Sequence, residues 1–421
     1  MNSNLDKNFN NPPQSYWMAS VQQPEYPVLN DDIKADIAIV GGGFAGIATA
    51  YFLKKQGINA VILEADRIMQ GTTGHTTAKI TSQHELIYSK LKKQMGEELA
   101  KQYADANETA IKIIEKIICE NNIECDYTPQ SAYVFTQDES YLEQIKDEVE
   151  TASSLGIKAA YVEEIPFSIP IKGAVRFDDQ AQFHPLKFLH LLAQKLYNDG
   201  VRIFEQSRVV DMEEDGNYIL ITNRGKKVTA EKVIIASHYP FYNKHGLYFG
   251  RLYTDRSYAL AIKAKEKYPG GMYINIEEPA RSLRIVKADQ GELIIVGGDH
   301  HKTGQGIDTT MHYEALKAFA NRIFTVEDYP YRWSTQDCMT MDGVPYVGNY
   351  TSKTPNLYIA TGFGKWGMTN SIAAAAILSD LIVKGDSPWK DVYNPSRQTI
   401  IASAKNFVVE NLNVAKRADR R

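Results

Sequence analysis

The chain is poor in cysteine, nearly balanced in charge and without a long apolar run, and each shortage removes a class of function. Its three cysteines, Cys119, Cys125 and Cys338, form no C-x-x-C pair or other metal spacing. They read as buried free thiols of a reducing compartment. A net charge of −4 over 421 residues leaves no basic surplus for nucleic acid or an acidic membrane surface. The uncharged stretch Ile37–Leu53 falls short of the ~18 residues of a membrane span and holds four glycines. The start, MNSNLDKNFNNPPQ, lacks the basic and apolar regions of a signal peptide, which implies a cytoplasmic protein. His300-His301 has only Asp299 as a neighbouring ligand type, so no metal site is expected. No repeat stands out. What remains is an ordinary globular composition, 43% apolar and 23% charged, long enough for two domains or one composite one.

The most informative stretch is DIAIVGGGFAGIATAYFLKKQGINAVILE, residues 36–64. An apolar strand runs into Gly41, Gly43 and Gly46 in G-x-G-x-x-G spacing, then a helix, a second strand and an acid, Glu64. Gly41 permits the tight turn, Gly43 admits a pyrophosphate to the backbone, and Gly46 lets helix and sheet close. The helix that opens at Phe44 and Ala45 aims its N–H groups and positive dipole end at that pyrophosphate. Glu64 is placed to accept hydrogen bonds from ribose hydroxyls. The other reading is a glycine-rich turn in an unrelated βαβ unit. GGDHHKTG (297–304) lacks this spacing, so a second nucleotide fingerprint is absent and substrate is expected to reduce the cofactor directly.

Residues 1–30 are polar and proline-bearing and read as a surface arm. Helices are expected over 85–121, 141–155, 185–198, 310–324 and 370–383. Strands are expected at 132–136, 173–178, 201–204, 209–213, 232–236 and 357–360, with antiparallel strands from 251 to 298. Strand-rich blocks interleave with α/β segments, which predicts an α/β architecture: a Rossmann-like domain with an inserted antiparallel-sheet domain.

Two further loops carry chemistry. GTTGHTTAK (71–79) follows the second strand, where open α/β sheets bind ligands, and its hydroxyls and Lys79 suit phosphate oxygens. A solvated, mobile turn is the alternative. TGFGKWGMT (361–369) lies between an apolar strand and an alanine-rich helix, with Thr369 as the expected N-cap. Its three glycines would let backbone lie against a flat ligand; a glycine turn between core elements is the alternative.

These motifs, together with WSTQDCMTMDGVPYVG (333–348), resemble the D-amino-acid-oxidase-type FAD-dependent oxidoreductases over roughly residues 30–385. The wording of GTTGHTTAK and TGFGKWGMTN is similar to a bacterial subgroup that usually carries a C-terminal Rieske domain. The resemblance implies FAD, with its ADP half held by Gly41, Gly43, Phe44, Ala45, Gly46 and Glu64. Arg67, Thr72, Thr73 and Thr77 would fall in the phosphate- and flavin-facing loop, and Val209 on the adenine side. Gly362, Gly364, Lys365, Gly367 and Met368 would border the isoalloxazine, and Asp342, Gly343, Pro345 and Gly348 match D-G-x-P-x-x-G.

The implied FAD-binding domain comprises 30–84, 156–240 and 330–395, the substrate or cap domain 85–155 and 241–329, and a tail or linker 396–421. The two C-x-H pairs of a Rieske centre are missing from this sequence. Thr335 stands where sarcosine-oxidase-like relatives attach flavin through cysteine, which implies non-covalent FAD. The implied reaction is oxidation of an amine or amino acid. The alternatives are a dehydrogenase passing electrons to a Rieske-type partner, and a non-catalytic FAD-binding protein. Candidate catalytic residues are Lys365, beside the flavin, Arg284, as a carboxylate anchor with Arg256 second, and His238, as a base. For Arg284 a sheet-edge surface arginine, and for Lys365 an exposed loop lysine, are the competing readings.

Overall fold

The computed structural model describes residues 11–167, 169–242, 244, 246–288, 291–305 and 308–397. The chain separates into two compact units. The dinucleotide unit gathers Gln23–Gly71, Leu189–Thr254 and the chain from Asp337; the sheet unit gathers the chain to Gln22, Thr72–Phe188 and Asp255–Gln336.

In the dinucleotide unit the runs IAIV and AVIL are buried along their length, as strands covered on both faces must be. Ile33–Val40 pairs in parallel with Ala60–Leu63 on one side and Lys227–Ile235 on the other. The sheet continues in parallel to Arg202–Phe204 at one end and to Leu357–Thr361 at the other, where Tyr346–Asn349 adds an antiparallel edge. The helices Phe44–Lys55 and Gly367–Lys384 pack on each other, the second through buried Ala373–Ala375, whose small side chains permit close approach.

The sheet unit is built on a nine-stranded sheet. Alternation along Leu252–Ala264, Arg281–Ala288 and Gly291–Lys302 sends Leu260, Ile262, Leu283, Ile294 and Val296 into one core with Tyr313, Leu316 and Ala320 of the helix Thr310–Ile323. By the same alternation Ser282 and Arg284 belong to the opposite face.

Several expectations change. The helix expected over 85–121 is two, Ile87–Met95 and Glu97–Asn121, because Gly96 at φ 86° breaks the ladder. Within the antiparallel block, Met272–Asn275 pairs in parallel with Thr128–Thr136. Residues 156–188, expected with the FAD-binding domain, carry Ala159–Val162 and Gly173–Gln182, which pair within the nine-stranded sheet. The arm expected on the surface contains the short helix Tyr16–Ala19, whose Tyr16 and Trp17 are buried. The tail expected from 396 begins within the fold: Arg397 is buried and ion-paired with Asp342, while residues 398–421 lie outside the described residues.

Candidate cofactor site

Each unit presents its own set of site residues. In the dinucleotide unit the first strand turns at Gly41, φ 116°, whose N–H donates to Leu63 O at 2.9 Å. A Cβ on Gly41 would meet Ala236 O at 2.4 Å, and one on Gly46 would lie 1.9 Å from Gly41 O. Only hydrogen fits at either place. The helix begins at Phe44 with Gly43 as N-cap, and a glycine cap brings no side-chain acceptor of its own to the positive dipole end.

Glu64 closes this loop. Its carboxylate accepts from Gly42 N at 2.7 Å and from Asp66 N at 3.0 Å, which fixes it at the end of the second strand. Burial raises its pKa above the ordinary value, opposed by these backbone bonds. A close-packed glycine turn, a glycine-capped helix start and a fixed acid fit the pyrophosphate and ribose of the ADP half of FAD. Beside them, Arg67 donates to Pro24 O at 2.8 Å and approaches Glu205 at 3.7 Å, and Glu205 also accepts from Ile68 N at 2.9 Å. Arg67 thus ties the loop to the chain before the first strand. Val209 is buried at the start of its strand.

The second glycine loop of this unit also has special backbone. Gly362 and Gly364 lie at φ 75° and 55°, and a Cβ on Gly362 would meet Thr340 Cγ2 at 2.3 Å. Gly364 N donates to Cys338 O at 2.8 Å. Lys365 Nζ donates to the buried Asp337 at 3.0 Å, so its charge is held by an ion pair. The helix starts at Gly367, before the expected Thr369 cap; Asn370 instead reaches back to Trp366 O at 3.1 Å, and Met368 is buried in the first turn. His238 follows its strand at φ 65°, and its carbonyl accepts from Thr361 Oγ1.

In the sheet unit the threonine loop is held through its carbonyls. Trp333 Nε1 donates to His75 O at 2.9 Å, Trp17 Nε1 to Thr76 O at 2.7 Å, and Arg284 Nη1 to Thr77 O at 3.0 Å and to Ala78 O. Four successive peptide acceptors are therefore capped by buried side chains, which holds Ala78 in the left-handed region at φ 54°. Thr72 Oγ1 donates to Gln336 O at 3.0 Å, and Thr73 is buried. Lys79 Nζ donates to Ser282 Oγ at 3.0 Å and to Thr77 Oγ1 at 3.3 Å. Desolvation, with the neighbouring Arg284 charge, lowers the Lys79 ammonium to about 7.

Arg284 is 2% exposed, not a surface arginine. Besides Thr77 and Ala78 it donates to Ile285 O at 3.1 Å and Phe183 O at 3.3 Å. Sequence reasoning passed over Trp17, Trp333 and Ser282 as parts of this site. The aromatic pair Tyr16-Trp17 inside a polar arm was the available signal; Ser282 carried none. Asp299, weighed as a metal ligand, is instead bridged by Arg281 and His312, both at 2.8 Å. No helix among the described residues is long and apolar enough to cross a membrane.

Comparisons with known proteins agree with this architecture. The family model of FAD dependent oxidoreductases matches residues 36–381. The chain is 39% identical over 404 residues to the protein named as Rieske 2Fe-2S iron-sulfur protein YhfW of Bacillus subtilis, covering 96% of this chain and 79% of that one. It is 23% identical to the gamma-glutamylputrescine oxidoreductase of Escherichia coli, covering 90% and 91%. Among solved structures, glycine oxidase from Geobacillus kaustophilus superposes with a TM-score of 0.73 at 17% identity, covering 87% of this chain and 99% of that one. The chain belongs to the DAO family of FAD-dependent oxidoreductases.

Proposed function

We propose that the chain oxidises a C–H bond next to nitrogen in an amine or amino acid, with FAD bound non-covalently. Relatives named as gamma-glutamylputrescine oxidoreductase and glycine oxidase support the nitrogen-bearing substrate class. The observation that carries the cofactor assignment is the fixed Glu64 carboxylate beside the close-packed Gly41–Gly46 turn. Bound FAD supplies the hydride acceptor; the protein supplies position and electrostatics.

Gly41, Gly43, Phe44, Ala45, Gly46 and Glu64 would hold the ADP half, with Arg67 fixing their loop and Val209 on the adenine side. The loop bearing Thr72, Thr73 and Thr77 keeps its phosphate- and flavin-facing role. Gly362, Gly364, Lys365, Gly367 and Met368 would border the ring. Lys365, held by Asp337, would place positive charge there, and His238 would take a proton from the substrate. On the substrate side Arg256, whose Nη1 donates to Ser334 Oγ at 2.9 Å, becomes the arginine for a substrate carboxylate, because Arg284 is committed to carbonyls. Non-covalent attachment is supported by Cys338, a buried thiol pushed up to about 11 by desolvation, far from the thiolate that flavin attachment requires.

A second reading has its own support: the YhfW relative carries a Rieske name, which favours an iron–sulfur electron acceptor over oxygen. One experiment addresses both. The purified holoprotein is mixed anaerobically with a panel of amines and amino acids, and flavin bleaching is followed before air is admitted. Bleaching by a nitrogenous substrate is expected; bleaching only by hydroxy acids would overturn the substrate class. Rapid reoxidation in air with release of peroxide selects the oxidase, and slow reoxidation selects the iron–sulfur acceptor. Flavin released by acid precipitation tests non-covalent binding.

A further inference from the structure

Lys365 and Lys79 are both half-buried, and their partners differ in kind. Lys365 Nζ donates to the Asp337 carboxylate at 3.0 Å, which holds it as an ammonium. Lys79 Nζ, in the sheet unit, donates to two hydroxyls, Ser282 Oγ at 3.0 Å and Thr77 Oγ1 at 3.3 Å. No carboxylate pairs with it among the described residues. Its strand partner Gln182 is neutral, and the charge acting on it is that of Arg284, which has its own sign.

The hydroxyls matter because they work in both directions. An ionised carboxylate can only accept, so it locks a lysine in the charged form. A hydroxyl accepts from an ammonium and donates to the lone pair of a free amine. Ser282 and Thr77 therefore suit Lys79 in either state, while desolvation and Arg284 favour the uncharged one. The main chain beneath is fixed, since Lys79 and Ile80 pair with Gln182 and Ala181 in the sheet. Ser282 stands opposite Gly297, where a Cβ would lie 2.9 Å from Ser282 Oγ and 3.1 Å from Thr77 Cγ2. Any larger residue there would displace both groups that flank the amine. A lysine without a counter-charge, beside a second cation and not enclosed, meets the conditions for a nucleophilic amine that attacks carbonyl carbon.

We propose that Lys79 is a covalent capture site for small aldehydes, which it binds as an imine with Ser282 as its proton-handling partner. The amine attacks the carbonyl carbon, and one N–H proton passes to the oxygen to give a carbinolamine. The carbinolamine then loses water as the Ser282 hydroxyl donates to the departing oxygen and recovers a proton from nitrogen. One amine and one aldehyde give one imine and one water, and nothing is oxidised or reduced. Aldehydes are released when the imine of an oxidised primary amine hydrolyses, so the source of the carbonyl rests on the substrate class proposed above. Capture adds bulk directly beside the threonine loop, within two residues of Thr77.

The test incubates the FAD-loaded full chain with propanal and cyanoborohydride at pH 6, 7 and 8, and follows propylation of each lysine by peptide mass mapping. At pH 7 Lys79 should be labelled at least about tenfold faster than the exposed Lys112 and Lys353, because far more of it is free amine. Its rate should level off between pH 7 and 8 while theirs keep rising. Ser282→Ala should slow Lys79 several-fold and leave Lys112 and Lys353 unchanged; an unaltered Lys79 rate would remove Ser282 from the step. Labelling of Lys79 no faster than the two exposed lysines, in the unsubstituted protein, overturns the site. The aldehyde is added rather than made by turnover, so a wrong substrate class leaves labelling of Lys79 standing, and failed labelling leaves the substrate class standing.

Discussion

Arg397 in the dinucleotide unit and Arg284 in the sheet unit are both buried guanidinium groups over an aromatic ring, yet they are solvated in opposite ways. Arg397 is bidentate to the buried Asp342, with both bonds at 2.7 Å, and its remaining donors go to carbonyls of Val344, Pro345 and Tyr393. Tyr346 covers its face at 4.3 Å. Among the described residues Arg284 has Trp17 at 5.3 Å and carbonyls alone. A charge neutralised inside the fold has finished its work there and holds structure together. A charge solvated only by dipoles is not neutralised, and it raises the cost of every cation near it. Lys79 is such a neighbour: desolvation first, and the Arg284 charge second, lower its ammonium to about 7.

The contrast can be broken most severely at Arg397. Asp342→Ala leaves that guanidinium buried without its counter-charge and should destabilise the protein by about 3–5 kcal/mol, the usual cost of stranding one partner of a buried pair. Urea unfolding of the holoprotein measures it, and a loss under ~1 kcal/mol would show that carbonyls suffice for Arg397 as they do for Arg284.

Next in size is Glu64→Ala, which removes the acid of the dinucleotide turn. It should weaken FAD by roughly 1.5–3 kcal/mol, the range for a hydrogen bond to a charged group. Fluorescence titration of apoprotein with FAD reads the change, and unaltered affinity would take Glu64 out of the site.

Lys79 gives a pH test. Its folded pKa, about 7, lies below its ordinary 10.5, so between these values the unfolded chain binds the extra proton. Stability should therefore rise with pH across that window, by at most ~1.4 kcal/mol per unit from this group. The contribution is smallest below pH 7, where both states are protonated. Lys79→Met should flatten this part of the profile; an unchanged slope would mean that Lys79 keeps its proton in the fold.

The smallest effect is expected at Trp17→Phe, which keeps the ring in the arm and deletes the bond to Thr76 O. A loss of ~0.5–1.5 kcal/mol in thermal unfolding is expected, as for one neutral hydrogen bond. A larger loss would mean that the arm braces the threonine loop beyond that one contact.

Much of the dinucleotide unit was legible in the sequence because its signals are local. Gly41, Gly46 and Glu64 act on one another within a single βαβ unit, so their spacing carries their geometry. The break at Gly96 and the start of the last long helix at Gly367 were less legible, since a glycine in a helical pattern can be interior, cap or hinge until neighbours decide. The sheet unit hid more. Ser282, Trp17 and Trp333 reach the threonine loop from positions 203, 59 and 258 residues away from their partners, and no periodicity encodes such contacts.

Arg284 shows where the line falls. Residue order alone determined that a strand carrying SLRIV would alternate, placing Arg284 opposite Leu283 and Ile285. It equally determined the nucleotide fingerprint and the family, because glycine spacing and helix polarity are properties of consecutive residues. Whether Arg284 would face water, an acid or four carbonyls was settled only when the arm, the threonine loop and Phe183 were packed around it. The physical reason is that a side chain's charge is intrinsic to the sequence, whereas its solvation belongs to whatever the fold brings within reach.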